Sequence, residues 1–83
     1  MYSIEWTRRA LKHLKTIPQQ RQKQIVLAVR SLQEWPDCQN VKALRNRPGY
    51  RLRVGRYRVL FDVENDLRII EIEEVKKRDE RTY

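Results

Sequence analysis

The chain has one cysteine, Cys38, and one histidine, His13, among its 83 residues. One thiol cannot close an internal disulfide, and no Cys/His spacing resembles a metal site. A reducing compartment is expected, and Cys38, with no histidine near it in sequence, reads as an inert thiol. His13 has the side chain best suited to proton transfer near neutral pH. It sits beside Leu14 in an amphipathic stretch and reads as a surface or half-buried helix residue. No apolar run approaches the ~20 residues of a membrane helix. The opening Met1-Tyr2-Ser3-Ile4-Glu5-Trp6 has no basic segment followed by an apolar one. Neither a secretory signal nor a membrane partner is expected, and the expected location is the cytoplasm. Repeats, low-complexity segments and linkers are also missing, so residues 1–83 read as one domain. With 40% hydrophobic residues its core is real but small.

The most informative absence is of acids. Between positions 42 and 58 there is no Asp or Glu but seven cations: Lys42, Arg45, Arg47, Arg51, Arg53, Arg56 and Arg58. Between 62 and 74 the balance reverses, with Asp62, Glu64, Asp66, Glu71, Glu73 and Glu74 against Arg68. The net charge is +8, which suits a polyanionic partner. The cationic run is almost pure arginine, whose planar fork of donors matches phosphate bidentately, where lysine is a point charge.

Periodicity organises the rest. Tyr2, Ile4 and Trp6 alternate with Ser3 and Glu5 as in a half-buried strand. Thr7 is a helix cap, followed by Ala10, Leu11, Leu14 and Ile17 at helical spacing. Pro18 ends that helix and can open the next. Residues 19–35 read as a second helix with Ile25, Val29 and Leu32 on one face and Leu27 and Ala28 beside it. A loop, Pro36-Asp37-Cys38-Gln39-Asn40, leads to a short irregular strand in 41–47, and Pro48-Gly49 is a turn. Strands are predicted over 50–54, 57–63 and 67–75, the first two joined by Gly55-Arg56 and the last two by Asn65-Asp66. The expected fold is α+β in the order β-α-α-β-β-β, a helical hairpin packed on a mainly antiparallel sheet. Trp6 and Trp35 flank the helices and read as packing residues rather than platforms for bases.

A first-position glycine suits a type II′ hairpin. With Gly55-Arg56 as that turn, Val54 faces Tyr57, Leu52 faces Val59 and Tyr50 faces Phe61, all on the face towards the helices. Arg53 then faces Arg58 on the opposite face, with Arg51 two residues along. Like charges directly opposite are destabilising, and a bound phosphate would relieve them. An alternative stands beside this. With Asn65-Asp66 as a two-residue turn, Arg58 falls opposite Glu73 and Leu60 opposite Glu71, making ordinary surface ion pairs worth under ~1 kcal/mol each.

The segment Leu44-Arg45-Asn46-Arg47-Pro48-Gly49-Tyr50-Arg51-Leu52-Arg53-Val54-Gly55-Arg56-Tyr57-Arg58-Val59-Leu60-Phe61 resembles the central region of the RelE/ParE toxin superfamily. The opening Ile4-Glu5-Trp6-Thr7-Arg8-Arg9-Ala10-Leu11-Lys12 resembles its first strand and helix. The ending, Val75-Lys76-Lys77-Arg78 through Tyr83, resembles its closing strand, basic pair and tyrosine. The resemblance implies a toxin of a two-gene toxin–antitoxin module, masked by a cognate antitoxin in a hetero-oligomer. In the RelE branch it implies a ribosome-dependent endoribonuclease that cuts mRNA in the A site with neither metal nor other cofactor. In the ParE branch it implies a gyrase inhibitor that cuts no RNA. Carried over by position, Arg51, Arg53, Arg58, Arg78 and Tyr83 are the expected catalytic residues and Arg45 an expected substrate contact; Lys42, Arg56 and Lys77, cations beside them in sequence, are expected substrate contacts as well. Relatives often have lysines where this chain has Arg51 and Arg53. Arginine is not deprotonated in proteins, so the base falls to Tyr83, its terminal carboxylate, Asp79 or Glu80, or there is no strong base. A third class, a basic RNA- or ribosome-binding module without chemistry, fits the same charge.

Overall fold

Thr7 opens the first helix as its spacing predicts. Its Oγ1 accepts from the Ala10 N–H at 3.1 Å and donates to the Ile72 carbonyl at 2.9 Å, so one side chain caps the helix and ties it to the sheet. The computed structural model describes residues 1–77. Along the chain run β1 (Ser3–Trp6), α1 (Arg8–Lys15), α2 (Gln19–Arg30), a 3-10 turn (Ser31–Glu34), β2 (Val41–Ala43), β3 (Tyr50–Val54), β4 (Tyr57–Glu64) and β5 (Ile69–Lys77). The five strands form one sheet in the order β1-β5-β4-β3-β2. β1 is parallel to β5 and the other pairings are antiparallel. The expected α+β fold is the observed one, with the helices on one face of the sheet.

The core lies between helices and sheet. Ala10, Leu14 and Ile17 meet Ile25, Val29 and Leu32 from above and Leu52, Val59, Phe61, Ile70, Ile72 and Val75 from below. Each large aliphatic or aromatic side chain taken fully out of water contributes about 1.5–3 kcal/mol. Trp35 packs edge-on against Tyr50 and Phe61, with ring centres 4.7 and 5.7 Å apart. Trp6 is half-buried against the core. His13 is half-buried as well, and its Nδ1 accepts the Val75 N–H at 3.2 Å. β1 leaves the sheet after Trp6, so this part of β5 has no strand on that side; the α1 histidine takes the place of one.

Three expectations need correction. The second helix ends at Arg30 and tightens into the 3-10 turn, and Leu27 points to solvent at 63% exposure instead of lying beside the buried face. The irregular strand is confined to Val41–Ala43. The last strand begins at Ile69, because the turn before it holds four residues, 65–68, with Arg68 in the left-handed region at φ 55°.

The Thr7 bonds yield a stability prediction. Thr7→Ala removes the cap and the Ile72 tether, and is expected to lower the unfolding free energy by about 1–2 kcal/mol. Thr7→Ser should retain most of it. Urea denaturation of the two variants checks this.

Candidate functional site

The β3–β4 hairpin closes as its turn residues require. Gly55 has φ 56°, Arg56 has no positive φ, and Arg53 lies directly across from Arg58. The register of β4 on β5 differs from the two-residue-turn expectation. The longer turn moves it by two residues. A β-bulge, with Leu60 paired to Glu74 and Phe61 to Ile72, adds one more and leaves Glu73 as the extra residue. Arg58 therefore faces Lys76, not Glu73, and Leu60 faces Glu74, not Glu71. The alternative of neutralising cross-strand pairs is overturned at Arg58: its neighbours on both sides are cations.

The sheet face away from the helices is ordered in rows. The first row is Arg53–Arg58–Lys76 across β3, β4 and β5. The second is Lys42–Arg51–Leu60–Glu74, and the third carries Asp62 and Glu71, with Glu5 beyond on β1. Among the described residues no carboxylate pairs with Arg51, Arg53 or Arg58. Arg58 is half-buried, and its Nε is shielded from solvent without a hydrogen-bond partner among the described residues. Such a group is costly unless a ligand or neighbour satisfies it.

The second row is held differently. Glu74 is 5% exposed and receives Arg9 at 2.5 Å, Arg47 at 3.5 Å and Lys76 at 3.5 Å. Burial opposes its charge, but Lys76 and Arg9, with hydrogen bonds from Lys76 and Arg47, outweigh burial and hold its carboxyl below the ordinary range. Residues 44–49 curl back across this face, closed by the Leu44 N–H to Gly49 carbonyl bond of 3.0 Å. Gly49, at φ 111°, lies so close that a Cβ would come within 2.7 Å of Asp62 Oδ1. Leu44, Pro48 and Arg47 thereby line a groove of about 330 Å³ over Leu60, whose other walls include Asp62, Glu73 and Glu74.

The expected site residues divide. Arg51, Arg53 and Arg58 come together, with Lys42 beside Arg51. Arg45 is exposed in the loop after β2. Arg56 and Lys77 line a separate groove of about 470 Å³ on the helical side, with Arg21 of α2. Arg78 and Tyr83 lie outside the described residues, as do Asp79 and Glu80. Sequence reasoning missed Lys76, Arg47, Arg9 and Glu74. Lys76 was visible as half of the Lys76-Lys77 pair, but only the bulge decides that it, rather than Lys77, joins the arginine row. Cys38 fits the inert reading: burial, then Asp37 and Glu34, push its thiol up.

At the acidic end, Asp62, Glu71 and Glu73 have carboxylate oxygens within 4.8 Å of one another, and these are the described residues that could hold a cation. Glu73 is pushed up to about 7, first by a hydrogen bond with Glu71, then by burial and the charges of Glu71 and Asp62. A raised folded-state value means that stability is fully present below the unfolded value near 4.5 and is lost as pH rises towards 7. Glu73→Gln removes that loss. The variant should match the wild type below pH 4.5 and exceed it at pH 8 by on the order of 1 kcal/mol after solvent screening. Denaturant midpoints across pH 4–9 check the crossover.

Comparison with known proteins places this geometry. Residues 4–82 match the family model described as ParE toxin of type II toxin–antitoxin system, parDE. No curated protein matches the chain. Among solved structures, the RelBE2 toxin–antitoxin complex of Mycobacterium tuberculosis is similar at 23% identity and a TM-score of 0.81, covering 93% of this chain and 98% of that one. The RelE–RelB complex of Pyrococcus horikoshii is similar at 24% identity and a TM-score of 0.82, covering 95% and 97%. The isolated RelE toxin of E. coli is similar at 21% identity and a TM-score of 0.80, covering 95% and 86%. At these identities the structures establish a shared fold, and the family model establishes membership: the chain belongs to the ParE toxin family of type II toxin–antitoxin systems.

Proposed function

We propose that the protein is the toxin of its module by acting as an endoribonuclease on mRNA in the ribosomal A site. The observation that supports this most is the Arg53–Arg58–Lys76 row, three cations side by side with no carboxylate paired to either arginine among the described residues. Cleavage by an RNA 2′-hydroxyl passes through a pentavalent phosphorane with extra negative charge. The 2′-oxygen bonds to phosphorus as the 5′-oxygen leaves, giving a cyclic phosphate and a 5′-hydroxyl. Guanidiniums fixed on a sheet stabilise that charge where it develops. Arg58 is central to the row, and its shielded Nε has no hydrogen-bond partner among the described residues. Arg51 and Lys42 extend the cationic surface for the flanking backbone. Tyr83 and Arg78 complete the site in this reading.

The partner in the resting state is an antitoxin. Several of the similar structures, among them those from M. tuberculosis, P. horikoshii and E. coli, are toxin–antitoxin complexes. An acidic antitoxin segment laid over the cationic rows would remove their repulsion and block the site. A second reading, inhibition of DNA gyrase without nuclease activity, is favoured by the description of the matching family as ParE.

A translation reaction programmed with a defined mRNA, with 5′ ends mapped by primer extension, separates the two. Discrete ribosome-dependent cuts are expected from the wild type, and Arg58→Ala should reduce them on the order of a hundredfold or more. Inhibited gyrase supercoiling in a parallel tube, with the mRNA intact, would replace the nuclease reading by the gyrase one.

A further inference from the structure

Glu74 is an anomaly on a face suited to an anion. It is a buried carboxylate adjacent to the cationic row, and its negative charge opposes phosphate binding. A buried ionised carboxylate is costly unless paired, and Glu74 is paired three times over by groups from three places in the chain. Arg9 comes from the first turn of α1, Arg47 from the loop over the groove, and Lys76 from β5 itself. The carboxylate side chain is 6% exposed, whereas those of Arg9, Arg47 and Lys76 are 68%, 57% and 51% exposed. Each cation therefore meets Glu74 with one end and water with the rest. An arginine has five N–H donors and a lysine three, so donors remain free to point outward after Glu74 is satisfied. The same contact restrains long side chains that would otherwise sample many rotamers.

We infer that Glu74 is a positioning residue of the nuclease site proposed above: its buried carboxylate gathers Arg9, Arg47 and Lys76 and aims their remaining donors at a phosphate held on the Arg53–Arg58–Lys76 row. The inference rests on the nuclease reading. It deepens that reading by adding Lys76 to the row as a held group rather than a free one, and by tying the 44–49 loop to the site through Arg47.

The two possible effects of Glu74 have opposite signs, which makes the inference testable. As a mere negative charge, it weakens RNA binding, and its removal improves both binding and cleavage. As a positioning group, its removal leaves binding unchanged or tighter while the chemical step slows. The variant is Glu74→Gln, which keeps the shape and removes the charge. Affinity is read by fluorescence anisotropy of a single-stranded RNA oligonucleotide with a 2′-O-methyl group at the cleavage position. Turnover is read on programmed ribosomes, with kcat and KM separated, and circular dichroism confirms the fold. The expected result is a fall in kcat on the order of tenfold or more, with the oligonucleotide bound at least as tightly as by the wild type. Equal or faster cleavage by Glu74→Gln, from a wild type that cuts, overturns the role of Glu74 and leaves the nuclease standing. A wild type that cuts nothing overturns the nuclease reading itself, and this inference with it. Should Glu74→Gln fail to fold, Glu74→Asp takes its place. It keeps the charge on a shorter stem that cannot meet all three cations. A reduced kcat at unchanged affinity supports the inference, and full kcat overturns it.

Discussion

Three cations on adjacent strands repel one another, and the sheet holds them there. Arg53, Arg58 and Lys76 sit in one row across β3, β4 and β5, at the ~4.8 Å spacing that backbone hydrogen bonds impose. Each adjacent like pair costs on the order of 1 kcal/mol even at a solvated surface, against a total stability of about 5–15 kcal/mol for a typical domain. What keeps the row together lies on the other face of the same strands. Leu52, Val59 and Val75 alternate with those cations and are buried against the helices. A strand cannot release its outward residues without also releasing its inward ones.

The bulge at Glu73 divides this face into two electrostatic halves. Glu73 and Glu74 are neighbours in the chain with opposite fates. Glu74 lies among Lys76, Arg9 and Arg47 and is held ionised; Glu73 lies among Glu71 and Asp62 and is held towards its protonated form. Without the extra residue, strict alternation from the buried Ile72 would keep Glu73 on this face and turn Glu74 towards the helices. Because of it, one end of the sheet is cationic and the other anionic. A polyanion would be drawn to the first and repelled by the second, so in the nuclease reading proposed above this face would orient a phosphate backbone as well as attract it.

How far the sequence could be read follows from how local each feature is. The Gly55-Arg56 turn fixes the β3–β4 register within six residues, and the pairing of Arg53 with Arg58 was legible from it. The Thr7 cap was legible for the same reason. The β4–β5 register was not, since Asn65-Asp66 resembles a two-residue turn and Arg68 gives no sign of the left-handed conformation it adopts. The bulge carries no glycine to announce it. Burial on the outward face was also hidden. Leu60 reads as an exposed strand residue until the 44–49 loop folds over it, an arrangement that depends on the close approach of Gly49 to Asp62. Leu27 erred the other way, because helical periodicity names a stripe but not its width.

A cationic face can serve either a nucleic acid or an acidic protein partner, and the shape of the charge bears on which. The cations of this chain are clustered: register sets Arg53, Arg58 and Lys76 side by side on neighbouring strands, and Arg51 and Lys42 continue in the next row. Clustering raises self-repulsion in the free protein, which a multiply charged anion would relieve. It also limits what Arg53 and Arg58 can do, because guanidiniums stabilise charge and do not accept protons at physiological pH. In the nuclease reading proposed above, these two arginines would act on the charge of the transition state, and the proton would be moved by another group.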